Sequence, residues 1–498
     1  LKAVGLVNED DNGALSCHEL VRERSRARME AHAAERDGLT ENAIRLGYAD
    51  RLIAAFQALR NQNMTAALAA GSRALVYCVQ AEAYDRLGQF ASGLVISIND
   101  PHMLSGLIPH LQTAAETAPE GKPRWACLCY LADALNNGGR PDVSLPFYEQ
   151  AVAQARGATQ AGLVDGAVAR QAWAYVGAGT GNWANALLKV GNLNAARQRH
   201  IEAAEAKKNA GNPATDIIGS ELEALRIDIM LGQTAAALPE IETRLAQVEA
   251  WWQRQRAGQL VPEAPDPVIL ARAYISALDI AKTTYLAQQD WASALSRIDT
   301  LIAVERALVL PANEVAIARF NRASVLCKLA RFGEAQMELE ACLQLFQHNP
   351  AYSAKTLGSL ADLFDEQGDV TQAVRQQRRA LALFEQLPDP SDRATSHNNL
   401  ANYLERTGQP VALAESPRHQ LAALVYRLVV GLEQDMQSTL RKYAFDFRRA
   451  HAAGTPLAVP RVAALLADSA FRPLDEWLVA RQVDVDELQA EVDELLEQ

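Results

Sequence analysis

The chain has 498 residues, of which 49% are apolar, 22% are charged and 6% are aromatic, and its formal net charge is -12. An acidic chain lacks the basic surface that general nucleic-acid binding needs. No apolar run approaches the roughly eighteen residues of a membrane-spanning helix, and no signal peptide opens the sequence. Because alanine and leucine are abundant and aromatic residues are few, we expect closely packed helices and an all-α fold.

The cysteines predict a reducing environment. Six of them are scattered along the chain without the spacing of a disulfide framework, which favours free thiols and a cytoplasmic location. Cys127 and Cys129 would point about 200° apart on a helix, and no second pair completes a zinc site. We therefore expect small buried apolar groups at these positions, and neither a metal nor another cofactor.

Residues 1–36 differ from the rest of the chain. The pair Asn12–Gly13 stands between two short apolar runs and predicts a tight β-hairpin, after which helical spacing begins. The stretch GLVNEDDNGALSCHELVRE, residues 5–23, resembles the end of the winged-helix segment of bacterial STAND-type signalling NTPases, where a similar run leads into a helical-repeat sensor. The resemblance implies a nucleotide-binding module upstream of Leu1, so we expect the sequence to be a piece of a longer protein.

A motif recurs about every forty residues along most of the chain. It consists of an apolar stripe, a small turn residue and an alanine five positions later, as in Leu357, Leu360, Gly368 and Ala373. The same alanine position is occupied by Ala196, Ala237, Ala294 and Ala335. One such helical hairpin cannot bury its own apolar face, so successive hairpins are expected to stack.

The motif resembles the tetratricopeptide repeat over most of residues 50–415. This resemblance implies a right-handed α-α superhelix whose concave groove holds a protein or peptide partner. The expected organisation is the end of a winged-helix-like segment at 1–36, degenerate helical hairpins at 37–157, TPR-like repeats at 158–416 and a C-terminal helical cap at 417–498.

The resemblance also implies candidate binding residues. In this repeat family the sixth and ninth positions of each first helix face the groove, which places Asn321, Asn399 and Asn402 there, with Arg406 nearby. An asparagine amide can both donate and accept, so it can hold an extended peptide backbone. The alternative, in which these asparagines hydrogen-bond to neighbouring helices, stays open.

Two other features bear on a partner. Asp362 and Asp365 lie in the repeat that precedes the last hairpin, and their negative charge favours a basic ligand. Trp251 and Trp252 are adjacent residues before an insertion rich in Pro and Gly that runs from Arg254 to Pro267, and on a helix they cannot both point inward. We take Trp252 as an exposed partner-binding anchor, with burial under the insertion as the alternative.

No catalytic constellation is predicted. The sequence has no phosphate-binding loop, no His-Glu-x-x-His motif and no Gly-x-Ser-x-Gly elbow. Gly177, Gly179 and Gly181 follow no β-strand pattern and are interpreted as a break between hairpins. His397 is expected to pack in the core of its repeat.

The leading hypothesis is therefore a non-enzymatic scaffold that serves as the ligand-sensing arm of a larger STAND-like signalling or defence protein and oligomerises through that parent. The first alternative is a free-standing TPR adaptor or chaperone-like scaffold. The second is a regulatory region fused to an effector enzyme such as a protease or nuclease.

Overall fold

The computed structural model is almost entirely helical over the residues that it describes. These are residues 7–9, 15–17, 23–24, 27, 40–160, 166–431, 436, 439–441, 444 and 461–497. The chain divides into two compact units, Leu1–Ile280 and Ala281–Gln498. No helix among the described residues is long and apolar enough to cross a membrane.

The N-terminal hairpin is present in the backbone. Strand β1 (Val7–Glu9) pairs antiparallel with β2 (Leu15–Cys17), and Asn8 lies opposite Ser16. Most of the expected winged-helix segment, including residues 10–14 and 28–36, lies outside the described residues. The winged-helix interpretation therefore stays a prediction.

The first unit begins with irregular helices and continues as regular hairpins. Its helices are α1 (Glu41–Leu59), α2 (Met64–Gln80), α3 (Tyr84–Leu87), α4 (Ala91–Ser97), α5 (Pro101–Thr117), α6 (Lys122–Asn137), α7 (Pro141–Gln160), α8 (Gly166–Lys189), α9 (Leu193–Ala210), α10 (Ala214–Met230), α11 (Thr234–Arg256) and the greater part of α12 (Pro267–Ala287). Leucine and alanine side chains of α1 to α7 form one continuous core.

The second unit continues the hairpins and ends in short helices. Its helices are α13 (Trp291–Ala307), α14 (Ala312–Lys328), α15 (Phe332–Leu345), α16 (Pro350–Glu366), α17 (Val370–Phe384), α18 (Pro390–Arg406), α19 (Pro410–Val430), α20 (Val462–Leu466), a 3-10 turn (Ser469–Phe471), α21 (Arg472–Ala480) and α22 (Val485–Glu497). The core of α19 to α22 includes Leu421, Tyr426, Leu474 and Leu488.

The turn inside each regular hairpin confirms the predicted register. A positive φ between 56° and 82° occurs at Gly139, Gly191, Gly232, Gln289, Ala330, Gly368 and Gly408. The residue five positions after each of the first six is at most 4% exposed: Ser144, Ala196, Ala237, Ala294, Ala335 and Ala373. The helix before such a turn is called the first helix of its hairpin (α6, α8, α10, α12, α14, α16, α18), and the helix after it the second.

Gly177, Gly179 and Gly181 do not form the break that the sequence suggested. All three lie inside α8, which continues to Lys189. A Cβ on Gly177 would stand 2.8 Å from Cγ of Lys207 on α9, and one on Gly179 would stand 3.1 Å from Cγ2 of Val152 on α7. These glycines therefore let neighbouring helices approach α8 closely.

The expected domain divisions do not coincide with helix ends. The division at 157/158 falls within α7 and the division at 416/417 falls within α19, which runs through Pro417. Pro417 has no backbone N–H and therefore loses one helical hydrogen bond. The helix continues because residues after Pro417, such as Leu421 and Val425, are fully buried, and their burial outweighs this loss.

The last helix begins as its sequence predicts. Asp484 caps α22, because its Oδ1 accepts hydrogen bonds from the backbone N–H of Asp486 at 2.9 Å and of Glu487 at 3.1 Å. Leu488 and Val492 on one face of α22 are at most 4% exposed. Their burial against the core of α19 to α21 is what a terminal cap of a repeat array requires.

Candidate functional site

In the second unit, polar side chains link the first helices α16 and α18. The Tyr403 hydroxyl donates to Oδ1 of Asp362, and the Arg406 guanidinium donates to Oδ2 of Asp365. Burial raises the pKa of Asp362 and of Asp365 above the ordinary value, and Tyr403 and Arg406 respectively oppose that rise. By solvent exposure Asp362 is exposed and Asp365 is half-buried, so this surface carries negative charge that Tyr403 and Arg406 only partly compensate.

Asn399, Asn402 and Arg406 lie on one face of α18, as the sequence predicts from their spacing. Asn399 and Asn402 are half-buried, and Arg406 is exposed. Among the described residues, Oδ1 of Asn402 has no hydrogen-bond partner. Asn321 is also half-buried but lies on α14, in another hairpin. The structure therefore groups three of the four residues, and their binding role stays a prediction.

Trp252 is not the exposed anchor that we took it for. It is only 9% exposed, and its ring packs against Tyr274 with 5.9 Å between the centroids. The insertion after α11 folds inward, because Val261 and Ala264 are at most 4% exposed and the Glu263 carbonyl accepts from the backbone N–H of Thr215 at 3.2 Å. Burial of this large apolar ring explains the difference.

In the first unit, a cavity of about 560 Å³ lies between the first helices α6 and α8. The side chain of Asp133 is at its wall and accepts hydrogen bonds from the Tyr148 hydroxyl at 2.6 Å and from Nδ2 of Asn182 at 3.0 Å. Nζ of Lys189 donates to the Asn136 carbonyl at 3.2 Å. The cavity is also lined by Asn99, Asn137, Asn185, Ile96, Ile98 and Leu188.

Two charged residues line this cavity, the buried Asp133 and the exposed Lys189. Burial raises the pKa of Asp133 to about 6, although its hydrogen bonds with Tyr148 and Asn182 act in the opposite direction. Asn136 is 7% exposed, and its Oδ1 has no hydrogen-bond partner in the described part of the chain. The cavity thus offers acceptors that a ligand with N–H groups could use.

Sequence reasoning missed this cavity, although the repeat register contained the signal. Asn182 and Asn185 stand nine and six residues before the turn at Gly191, and Asp133 stands six residues before the turn at Gly139. These are the same sixth and ninth positions that select Asn399 and Asn402. The sixth and ninth positions were considered only in the later hairpins, although Ala196 already fixed the register of the hairpin at Gly191, and Ser144 replaces the alanine after Gly139.

His397 lies in the core of the last hairpin. Its Nδ1 is 2.8 Å from Nδ1 of His419, and its ring stacks on those of Tyr426 and Phe471. Burial, together with His419 and Arg393, lowers the pKa of His397. The described residues contain no cluster of three or more His, Cys, Asp or Glu side chains that could hold a metal ion.

No curated protein shows significant sequence similarity to the chain. The apo form of RapI matches with a TM-score of 0.44 and 11% identity over 78% of this chain and 99% of that chain. A Rap protein complexed with competence and sporulation factor matches with a TM-score of 0.38 and 14% identity over 83% of this chain and 99% of that chain. A tetratricopeptide repeat protein from Parabacteroides merdae matches with a TM-score of 0.38 and 12% identity over 66% of this chain and 100% of that chain.

The family evidence comes from sequence. Residues 314–386, which contain most of α14 and all of α15, α16 and α17, match the family model described as tetratricopeptide repeat.

Proposed function

We propose that the chain is a non-enzymatic scaffold that binds a protein or peptide partner on its first helices. One observation carries the proposal: first helices of both units hold buried side-chain oxygens without a hydrogen-bond partner among the described residues. In the first unit they are Oδ1 of Asn136 and Oγ1 of Thr180, and in the second unit they are Oδ1 of Asp365 and of Asn402. Because a buried acceptor that lacks a donor costs free energy, a ligand that supplies N–H groups gains by pairing with it.

An extended peptide backbone suits such a surface. It presents N–H and C=O groups at regular intervals, and an asparagine amide can meet either of them. Asn399, Asn402 and Arg406 on α18, with Asn321 on α14, are the residues that we propose for the second unit, in a groove along its first helices.

We further propose that this scaffold is the ligand-sensing arm of a larger bacterial, cytoplasmic STAND-like protein. Support comes from the resemblance of residues 5–23 to the end of a winged-helix segment. In this proposal residues 1–36 transmit ligand binding to a switch domain, and residues 417–498 form the cap. A free-standing adaptor, or a regulatory region of an effector enzyme, would show a different coding sequence upstream of Leu1.

Selection from a random peptide library on the purified 498-residue chain tests the binding proposal. We expect enriched peptides that bind in the micromolar range. Replacing Asn321, Asn399 and Asn402 together by Ala should weaken those that occupy the second unit by about tenfold or more, since each hydrogen bond contributes roughly 0.5–1.5 kcal/mol.

The matched control is Asn209→Ala, which removes an exposed amide from the second helix α9. This variant should bind like the wild type. A selection that enriches no peptide, or peptides whose affinities are unchanged in the triple variant and in every first-helix variant, would refute the proposal.

A further inference from the structure

Asp133 is a buried carboxyl group without a cationic partner. It is 7% exposed, and its two recorded hydrogen bonds come from the neutral groups of Tyr148 and Asn182. Within the described residues, no Lys, Arg or His side chain forms an ion pair with it. An isolated carboxylate in such a place is costly unless a positive charge compensates it.

Asn136 adds a second acceptor on the same helix. It is 7% exposed, and its Oδ1 has no donor in the part of the chain that the structure describes.

Lys189 also lines the cavity, but it is exposed and forms no ion pair with Asp133, so the buried part of the lining suits a ligand that supplies donors and positive charge. A carboxylate ligand would be repelled by Asp133, and an aliphatic group would leave both acceptors unpaired. A guanidinium group has five N–H donors in a planar fork and keeps its charge when buried, whereas an ammonium group is more strongly hydrated.

We propose that this cavity binds the guanidinium group of an arginine side chain in a peptide ligand, with Asp133 as its counter-charge. The proposal rests on the peptide-binding function above and specifies its ligand class. The cavity volume of about 560 Å³ lies within the range of sites that accept small ligands. Ile96, Ile98 and Leu188 provide apolar wall against which the methylenes of an arginine can pack.

Asp133 is the group at this cavity whose protonation state changes near neutral pH. Burial raises the pKa of Tyr148 on α7 and of Cys129 and Tyr130 on α6 above their ordinary values, so they stay neutral. Lys189 on α8 is an exposed ammonium group that donates to the Asn136 carbonyl. Protonation of Asp133 would remove the counter-charge, so arginine binding should weaken below about pH 6.

Ligand-observed NMR titrations of the full chain with acetyl-arginine methylamide and acetyl-citrulline methylamide test the proposal. Citrulline has nearly the same shape but is neutral. At pH 7.5 the arginine probe should bind the wild type about tenfold more tightly, because a charge-assisted pair replaces a neutral one. This preference should vanish in Asp133→Asn and persist in Asp142→Asn, which changes an exposed carboxylate on α7.

The pH dependence of the wild type provides a readout that needs no variant. Its preference for the arginine probe should decline as the pH falls from 7.5 to 5. Equal binding of the two probes at pH 7.5, or binding of neither, would overturn the proposal. If library peptides bind but do not need arginine or Asp133, the scaffold function stands and only the arginine site fails, whereas a library without binders refutes the scaffold function itself.

Discussion

His200 on α9 is a buried histidine whose ring nitrogens both lack a hydrogen-bond partner among the described residues. Its side chain is 4% exposed. Burial, with a smaller contribution from Lys207, lowers the pKa of His200 to about 4. The folded chain thus keeps the ring neutral over a pH range in which an unfolded chain would protonate it.

The consequence for stability has a definite sign. Between about pH 6.5 and pH 4 the unfolded state binds a proton that the folded state does not, so His200 lowers the free energy of unfolding as the pH falls. The shift corresponds to about 3 kcal/mol across this window. His200→Met should remove that contribution and should also raise stability at pH 7, because no unpaired ring nitrogen remains buried.

Thermal unfolding at several pH values between 4.5 and 7 checks this prediction. The control is His102→Met, which replaces an exposed histidine on α5 and should follow the wild type. If His200→Met shows the same loss of stability on acidification as the wild type, His200 is not held neutral by its surroundings.

At the scale of the helix, Gly177 of α8 is closely packed against α9, whereas Gly219 of α10 has open space beside it. A Cβ on Gly177 would meet Cγ of Lys207 at 2.8 Å and its backbone nitrogen at 3.3 Å. Lys207 cannot move aside freely, because its Nζ donates to Oγ of Ser220 at 2.8 Å and to the Asp216 carbonyl at 3.2 Å. A Cβ on Gly219 of α10 would meet no atom within 4 Å among the described residues.

Gly177→Ala and Gly219→Ala should therefore change stability in opposite directions. Both gain roughly 0.5–1 kcal/mol of helix propensity. Overpacking against α9 should cost Gly177→Ala about 1–3 kcal/mol and make it destabilising, while Gly219→Ala should be stabilising. Urea unfolding of the two variants measures the difference, and stabilisation by both would contradict the close approach of α8 and α9.

The hairpins show how far local sequence determines this fold. The apolar spacing and the buried alanines are local signals, and they predicted the register of six turns. Gln289 and Ala330 adopt positive φ without being glycine, so the register, not the residue type, identifies these turns. Gly177 and Trp252 were misread because their surroundings come from distant residues, Lys207 and Tyr274, which no local pattern reveals.

The two candidate sites also differ in how far the local sequence predicts them. Asn399, Asn402 and Arg406 share a face because they share a helix, and their spacing is readable from the sequence. The cavity at Asp133 depends on Tyr148 and Asn182, which come from two other helices. Its polar positions are predictable from the register, but the burial that raises the pKa of Asp133 to about 6 is not.

At the scale of the whole molecule, each unit carries an aspartate six residues before a hairpin turn, Asp133 in the first and Asp362 in the second. Each aspartate accepts a hydrogen bond from a tyrosine hydroxyl, which comes from the second helix α7 in the first unit and from the first helix α18 in the second. Burial raises the pKa of both carboxyl groups. We therefore expect ligand contact on the first helices in either unit.

Hydrogen–deuterium exchange of the full chain, with and without a saturating library-selected peptide, tests this assignment most directly. Amides that pair with ligand, or whose helix is held by it, exchange more slowly. We predict added protection on α6 and α8, on α16 and α18, or on both pairs, with second helices such as α9 and α17 unchanged. Protection confined to the second helices would contradict the account.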